Sequence, residues 1–334
     1  MSLGVPGASR APPRARFGPM QQRLLGGTGL SVSRLGLGTM GWGRTTDEHE
    51  ARDQLSAFCE AGGTLVDTAY AYADGASETI LGRLLGSVVP REDVVLATKA
   101  GVGVRRGQRF FETSRRTLLD CLDTSLTRLG VDHVDLFQAH VWSDAVPLEE
   151  TLGALDHAVT SGRASYVGIS NYTGWQTAQA ATWQRAVPGR APLASTQMEY
   201  SLLNRGIEDE VLPAARALGL GVLPWSPLGR GVLSGKYRTG TPSNSRGADP
   251  QLSGFVDPLL TERSSTIVQA LSRAADGLGW SMVEVALAWV RDRPGVVAPI
   301  VGARTTTQLQ ESLAVEERSL PAELIAALDD VSAA

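Results

Sequence analysis

The sequence predicts a closed (β/α)8 barrel, and three observations carry that prediction. Short apolar runs alternate with helix-periodic stretches along the chain, eight such runs can be counted, and polar or ionisable residues recur at their C-terminal ends. Eight alternations within 334 residues favour closure over a doubly wound sheet, because a ring buries every strand without leaving an edge. An open Rossmann-type sheet is the alternative.

The runs span residues 34–40, 64–69, 94–99, 134–140, 165–171, 194–200, 221–226 and 297–304. Helical periodicity and start signals fill 47–61, 113–129, 147–161, 208–218 and 261–277, and Gly75 leads into a further helix. Ser281 and Glu284 have the spacing of a capping box, which opens a helix over 281–291. Of that helix and one over 321–332, one is expected to pack outside the ring as an additional C-terminal helix. The stretch 236–260 after the seventh strand, rich in Gly, Pro and Ser, exceeds an ordinary βα connection and has the length of a lid.

A hydrophobic content of 43% supplies a full core for one large domain, assigned to residues 21–334. Residues 1–20, with Pro6, Pro12 and Pro13 among Arg10, Arg14 and Arg16, lack a signal-peptide core and read as a flexible extension. A net charge of −4 gives no general attraction to nucleic acid or anionic lipid, so a small molecule is the expected partner. No run approaches the ~20 apolar residues of a membrane span. Cys59 and Cys121 form no CxxC or Cys/His cluster and suit a reducing cytoplasm. His49, His133 and His157 lack metal-ligand spacing, and no metal is expected.

In a barrel the strand C-termini and the loops after them build one mouth. The second strand ends at Asp67 with Tyr70 and Tyr72 beyond it, the third at Lys99, and the fourth at His140. The fifth ends at Ser170 and Asn171, the sixth carries Gln197, and the seventh ends at Trp225 and Ser226. Any one of these is ordinarily a solvated strand end. An acid, an amine, an imidazole and a phenol converging on one mouth suit proton transfer to an oxygen.

A free phenol holds its proton to a pKa of about 10, and a neighbouring ammonium favours the phenolate, so Lys99 is expected to lower the tyrosine pKa while Asp67 keeps Lys99 charged. His140, if neutral, can donate a hydrogen bond that orients a carbonyl oxygen. Lys99 could instead form a Schiff base, but that role needs a neutral amine, which Asp67 opposes.

The segments "DTAYAYADGASE", "LATK", "LFQAH", "VGISNY", "TQMEYS", "WSPLGRGVLSGK" and "PIVGARTTTQLQES", in that order, resemble the aldo-keto reductase superfamily from Arg23 to about Leu324. The resemblance implies a barrel that binds a nicotinamide dinucleotide, usually NADPH, and a catalytic tetrad falling on Asp67, Tyr72, Lys99 and His140. The D-T-A-x-x-Y spacing selects Tyr72 over Tyr70, which is left as a wall or packing residue.

The resemblance also implies cofactor contacts. Thr39 and Met40 end the first strand. Ser170, Asn171 and Gln197 fall on the nicotinamide amide, and Trp225, beside Ser226, on its ring. Leu228, Gly229, Gly231 and Lys236 fall on the pyrophosphate. Gly302, Arg304, Gln308, Glu311 and Ser312 fall on the adenosine end, Arg304 on the 2′-phosphate. Ser312 departs from a usual Asn, and Ala73 from a usual Gly. Trp42 and Trp142 are expected to line the substrate cavity. The implied activity is reduction of an aldehyde or ketone; the rival is a cofactor-binding regulatory subunit that acts through a protein partner. Substrate and oligomeric state stay open at this stage.

Overall fold

Eight parallel strands close on themselves in the computed structural model, which describes residues 20–243, 245–249 and 252–333. The chain opens with an antiparallel hairpin, β1 (Gln22–Leu24) and β2 (Ser31–Ser33), before the first barrel strand, β3 (Gly36–Gly38). Then follow α1 (Glu48–Glu60), β4 (Leu65–Asp67), α2 (Ala76–Leu84) and β5 (Val95–Ala100). A second hairpin, β6 (Val102–Arg105) and β7 (Gln108–Phe111), precedes α3 (Arg115–Leu129).

The alternation continues with β8 (Val134–Ala139), α4 (Leu148–Thr160), β9 (Ala164–Ser170), α5 (Gly174–Ala186), β10 (Leu193–Glu199), α6 (Val211–Ala217) and β11 (Gly221–Trp225). After β11 come the short α7 (Ser253–Val256), then α8 (Glu262–Leu278) and α9 (Met282–Arg291), and the last barrel strand β12 (Ile300–Val301). Helices α10 (Thr306–Leu313) and α11 (Ala322–Val331) complete the described chain. In ring order the barrel is β3, β4, β5, β8, β9, β10, β11, β12, and each expected apolar run overlaps one of these strands.

Helix starts follow local chemistry. The Asp47 carboxylate accepts the Glu50 N–H at 2.9 Å, and Ser281 and Glu284 form the expected capping box at 3.1 and 2.8 Å. Thr173 and Gln176 form a second such box that opens α5. Helix α9 is buried along almost its whole length, whereas α11 packs on α8. The additional outer helix is therefore α11.

Two apolar layers hold the fold. Leu65, Ala97, Leu136, Ala194, Leu223 and Ile300 fill the barrel interior, and Leu25 and Val32 of the N-terminal hairpin close its floor. A larger layer between strands and helices includes Leu37, Leu55, Phe58, Leu96, Phe137 and Ile169. Each fully buried Leu or Phe contributes roughly 1.5–3 kcal/mol by leaving water. Met20, counted from sequence with the extension, is buried in this layer, and its N–H donates to the Ala61 carbonyl at 3.1 Å. The rest of the expected extension, residues 1–19, lies outside the described residues. No described helix is long and apolar enough to cross a membrane.

Candidate active site

Three consecutive barrel strands, β4, β5 and β8, deliver the first polar cluster. Asp67 is the last residue of β4, Lys99 lies near the end of β5, and both are buried, at 2% and 0% exposure. The Lys99 ammonium donates to Asp67 Oδ2 at 2.6 Å and to the Thr68 carbonyl at 2.9 Å. Asp67 Oδ1 accepts the Gln197 side-chain amide at 2.9 Å. Lys99 Nζ sits 5.1 Å from the centroid of the Tyr72 ring. His140, the residue after β8, meets that ring edge-to-face with centroids 6.0 Å apart. The four residues read as a tetrad are therefore assembled at one mouth.

Charge states follow from burial and neighbours. Burial pushes the Lys99 ammonium down, but Asp67 first and Tyr72 second outweigh it and hold the ammonium above the ordinary lysine range. The Tyr72 phenol is also raised: burial pushes it up, Lys99 pulls against this, and burial prevails. This corrects the sequence expectation of a lowered phenol, which counted the ammonium and not the loss of water. Burial, helped by the Lys99 and Arg109 charges, pushes the His140 imidazolium down to about 3. His140 is neutral near pH 7. Its Nδ1 is buried without a hydrogen-bond partner within the protein.

The segment that carries Tyr72 is a tight turn over Tyr72–Gly75 in which Ala73 and Asp74 both take left-handed conformations, at φ 49° and 52°. A glycine adopts such a φ without steric cost, which accounts for the residue usual at position 73 in the resemblance. Tyr70 packs its ring against Phe110 of β7, with centroids 6.4 Å apart. It is a packing residue, as expected.

The second set surrounds the first. The Ser170 hydroxyl donates to the Gln197 carbonyl at 2.9 Å, and the Asn171 amide donates to the His140 carbonyl and to Ser170 Oγ at 2.9 and 3.0 Å. Asn171 Oδ1 accepts the Trp225 indole N–H at 3.1 Å. Thr39 is buried and shares a 2.8 Å hydrogen bond with Ser77, while Met40 beside it is partly exposed. From Gly229 to Gly231 every residue is left-handed, with φ of 54°, 57° and 96°, and Ser226 has φ 51°. A Cβ on Gly231 would lie 2.8 Å from the Lys236 ammonium, so the glycine admits a cation against this stretch of backbone.

At the other end of the mouth, Gln308 accepts the Arg304 backbone N–H at 3.1 Å, and Thr305 caps α10. Glu311 and Gly302 are exposed, whereas Ser312 is buried and its hydroxyl donates to the Gln308 carbonyl at 3.1 Å. Trp42, expected at the cavity wall, has no exposed surface, and its indole donates to Gln54 at 3.0 Å. Its place is in the core beneath α1. Trp142 stays near the mouth, edge-to-face with Tyr172 at 5.1 Å and Trp175 at 5.5 Å, and its indole donates to Asp144.

Sequence reasoning left several residues of this region unassigned. Phe255, from the long segment after β11, stacks on Trp225 with ring centroids 6.2 Å apart and planes 16° apart. Arg230 grips Glu199 through two bonds of 2.8 and 2.7 Å and donates to the Phe255 carbonyl at 2.6 Å. No local pattern marks Phe255 for that place. The β6–β7 hairpin was legible in principle, because Arg106 and Gly107, at φ 53° and 77°, form the two-residue turn that Gly107 signals.

The barrel's mouth gathers a buried acid–amine pair, a phenol and a neutral imidazole, groups chemically suited to moving a proton. Residues 34–333 match the aldo/keto reductase family. An uncharacterised oxidoreductase YrpG of Bacillus subtilis is 38% identical over 93% of this chain and 96% of its own. An L-glyceraldehyde 3-phosphate reductase of Escherichia coli is 34% identical over 89% and 88%. A probable voltage-gated potassium channel subunit beta of rice is 34% identical over 88% and 90%. The chain belongs to the aldo/keto reductase family and is an oxidoreductase that acts on carbonyl groups.

Proposed function

We propose that this protein reduces an aldehyde or ketone to the alcohol with NADPH, and that Tyr72 supplies the proton. The observation that supports it best is the Asp67–Lys99 pair beside the Tyr72 ring, with His140 neutral on the other side.

The residues present fit a dinucleotide. Asn171 spends both amide protons within the protein, but Gln197 keeps its carbonyl oxygen and one N–H for a carboxamide. The left-handed backbone from Gly229 to Gly231 with Lys236 beside it suits a pyrophosphate, and Arg304 at the start of α10 suits a 2′-phosphate. When bound, such a cofactor supplies the hydride that the carbonyl carbon accepts.

His140 donates its imidazole N–H in a hydrogen bond to the carbonyl oxygen, which orients the substrate and stabilises the charge that grows there. Tyr72 then gives its phenolic proton to that oxygen. A raised phenol pKa does not prevent this, since an alcohol is a much weaker acid than a phenol and the proton still passes downhill to the alkoxide. Lys99 stabilises the phenolate left behind, and Asp67 keeps Lys99 protonated and aimed. Phe255 stacked on Trp225 walls the mouth against water.

The test is a panel of aromatic and aliphatic aldehydes and ketones with purified protein and NADPH, read as loss of reduced-cofactor absorbance. Turnover of one or more is expected. Tight cofactor binding with no turnover across the panel would sink the proposal in favour of a regulatory, partner-binding role.

A further inference from the structure

Outside the proton-transfer cluster lies an ion pair, buried on its carboxylate side, that the mechanism above does not use. Glu78, in the first turn of α2, has no exposed surface. Its Oε1 accepts the Thr98 hydroxyl at 2.8 Å, and its Oε2 accepts the Arg128 guanidinium at 3.0 Å. The same Arg128 nitrogen donates to the Tyr70 carbonyl at 3.0 Å, and the guanidinium lies 4.6 Å from the centroid of the Tyr70 ring. Gly75 presses its backbone on the other side, since a Cβ there would come within 2.3 Å of the guanidinium carbon. The chain from Tyr70 to Gly75 is thus wrapped over one guanidinium and pinned at both ends. Tyr72 sits between the pins.

The other arm of Glu78 reaches the neighbouring strand. Thr98 precedes Lys99 on β5, so one buried carboxylate ties together the strand that carries the ammonium and the turn that carries the phenol. The turn needs such a tie, because Ala73 and Asp74 hold left-handed conformations that a free loop would abandon. We infer that Glu78 and Arg128 are positioning residues that fix the distance between the Tyr72 hydroxyl and the Lys99 ammonium. The inference rests on Tyr72 as the proton donor of the proposed reduction.

Arg128→Met tests it with two readouts, one of them independent of turnover. The first is Tyr72 ionisation, taken from tyrosinate ultraviolet absorbance as each protein minus its own Tyr72→Phe counterpart. The charged and titratable groups around Tyr72 are Lys99, Asp67, His140 and, on its own turn, Asp74; of these only Lys99 favours the phenolate strongly. Loosening the turn weakens that pull and admits water to the phenol, so the Tyr72 titration is expected to depart from its wild-type position. The second is kcat for carbonyl reduction beside NADPH affinity: kcat is expected to fall about 10- to 100-fold, the cost of a small misplacement, with Kd for NADPH nearly unchanged.

Arg128→Lys, which keeps the charge but lacks the planar guanidinium enclosed between the Tyr70 ring and the Gly75 backbone, is expected to restore part of both. A wild-type Tyr72 titration and wild-type kcat in Arg128→Met overturn the inference. Should that variant fail to fold, Glu78→Gln is read the same way, and an unchanged titration there overturns it. A shifted titration in a protein whose wild type turns over no carbonyl supports the clamp and sinks the reductase proposal.

Discussion

Replacing Asp67 by Asn removes one charge from a buried pair while keeping its shape. The Lys99 ammonium, 2.6 Å from Asp67 and without exposed surface, would then retain only the Thr68 carbonyl and the phenol as partners. Stranding one member of a buried pair costs about 3–5 kcal/mol, several times the effect of an exposed salt bridge. The substituted side chain keeps a carbonyl oxygen that can accept the Gln197 amide, so that bond does not add to the loss.

The pH dependence identifies the cause. In the wild type Lys99 is raised, so its stabilising contribution is complete below the unfolded lysine value of about 10.4 and is lost only as pH rises through the folded value. In Asp67→Asn burial is left without its main opponent and the Lys99 pKa falls. The unfolded chain then binds more protons than the folded one between that value and about 10.4, and stability rises with pH. Urea unfolding at pH 7 and pH 9 measures both effects. A penalty of about 3–5 kcal/mol at pH 7 that shrinks by pH 9 is expected. A loss under about 1 kcal/mol, the scale of an exposed pair, or one that grows with pH, refutes the buried-pair account.

Two further outcomes follow from the same geometry. His140 is held down to about 3, so wild-type stability falls as pH drops from about 6.5 towards that value; His140→Asn should lose this slope, gaining roughly 2 kcal/mol on the wild type between pH 7 and 3 after allowance for partial exposure, measured by chemical denaturation. Arg304→Ala should weaken NADPH by about 10- to 100-fold, the worth of one charge-assisted hydrogen bond, and NADH far less, measured by titration calorimetry; equal losses would mean that Arg304 does not read the 2′-phosphate.

Much of the architecture was legible because parallel barrel strands are buried on both faces, and apolar runs ending in Asp67, Lys99 and His140 stand out from their surroundings. Helix starts such as Ser281 were legible for a local reason, and Thr173 with Gln176 offered the same signal for α5. What escaped depends on partners remote in sequence. The fate of Trp42 is decided by Gln54, which accepts its indole proton in the core. The raised phenol of Tyr72 reflects its partial withdrawal from water at the mouth, a property of the assembled barrel. The placing of Phe255 on Trp225 depends on Arg230 reaching Glu199 and the Phe255 carbonyl together. Glu78 and Arg128 are 50 residues apart and meet only because α2 and α3 pack side by side.

The most direct test of the central claim is single-turnover reduction of a carbonyl by the wild type and by Tyr72→Phe, each preloaded with NADPH. Removing the phenolic hydroxyl is expected to slow reduction by about 10²- to 10⁴-fold, the range of general-acid catalysis, with little change in NADPH affinity. A Tyr72→Phe protein that reduces the substrate at the wild-type rate would contradict the assignment of Tyr72 as proton donor.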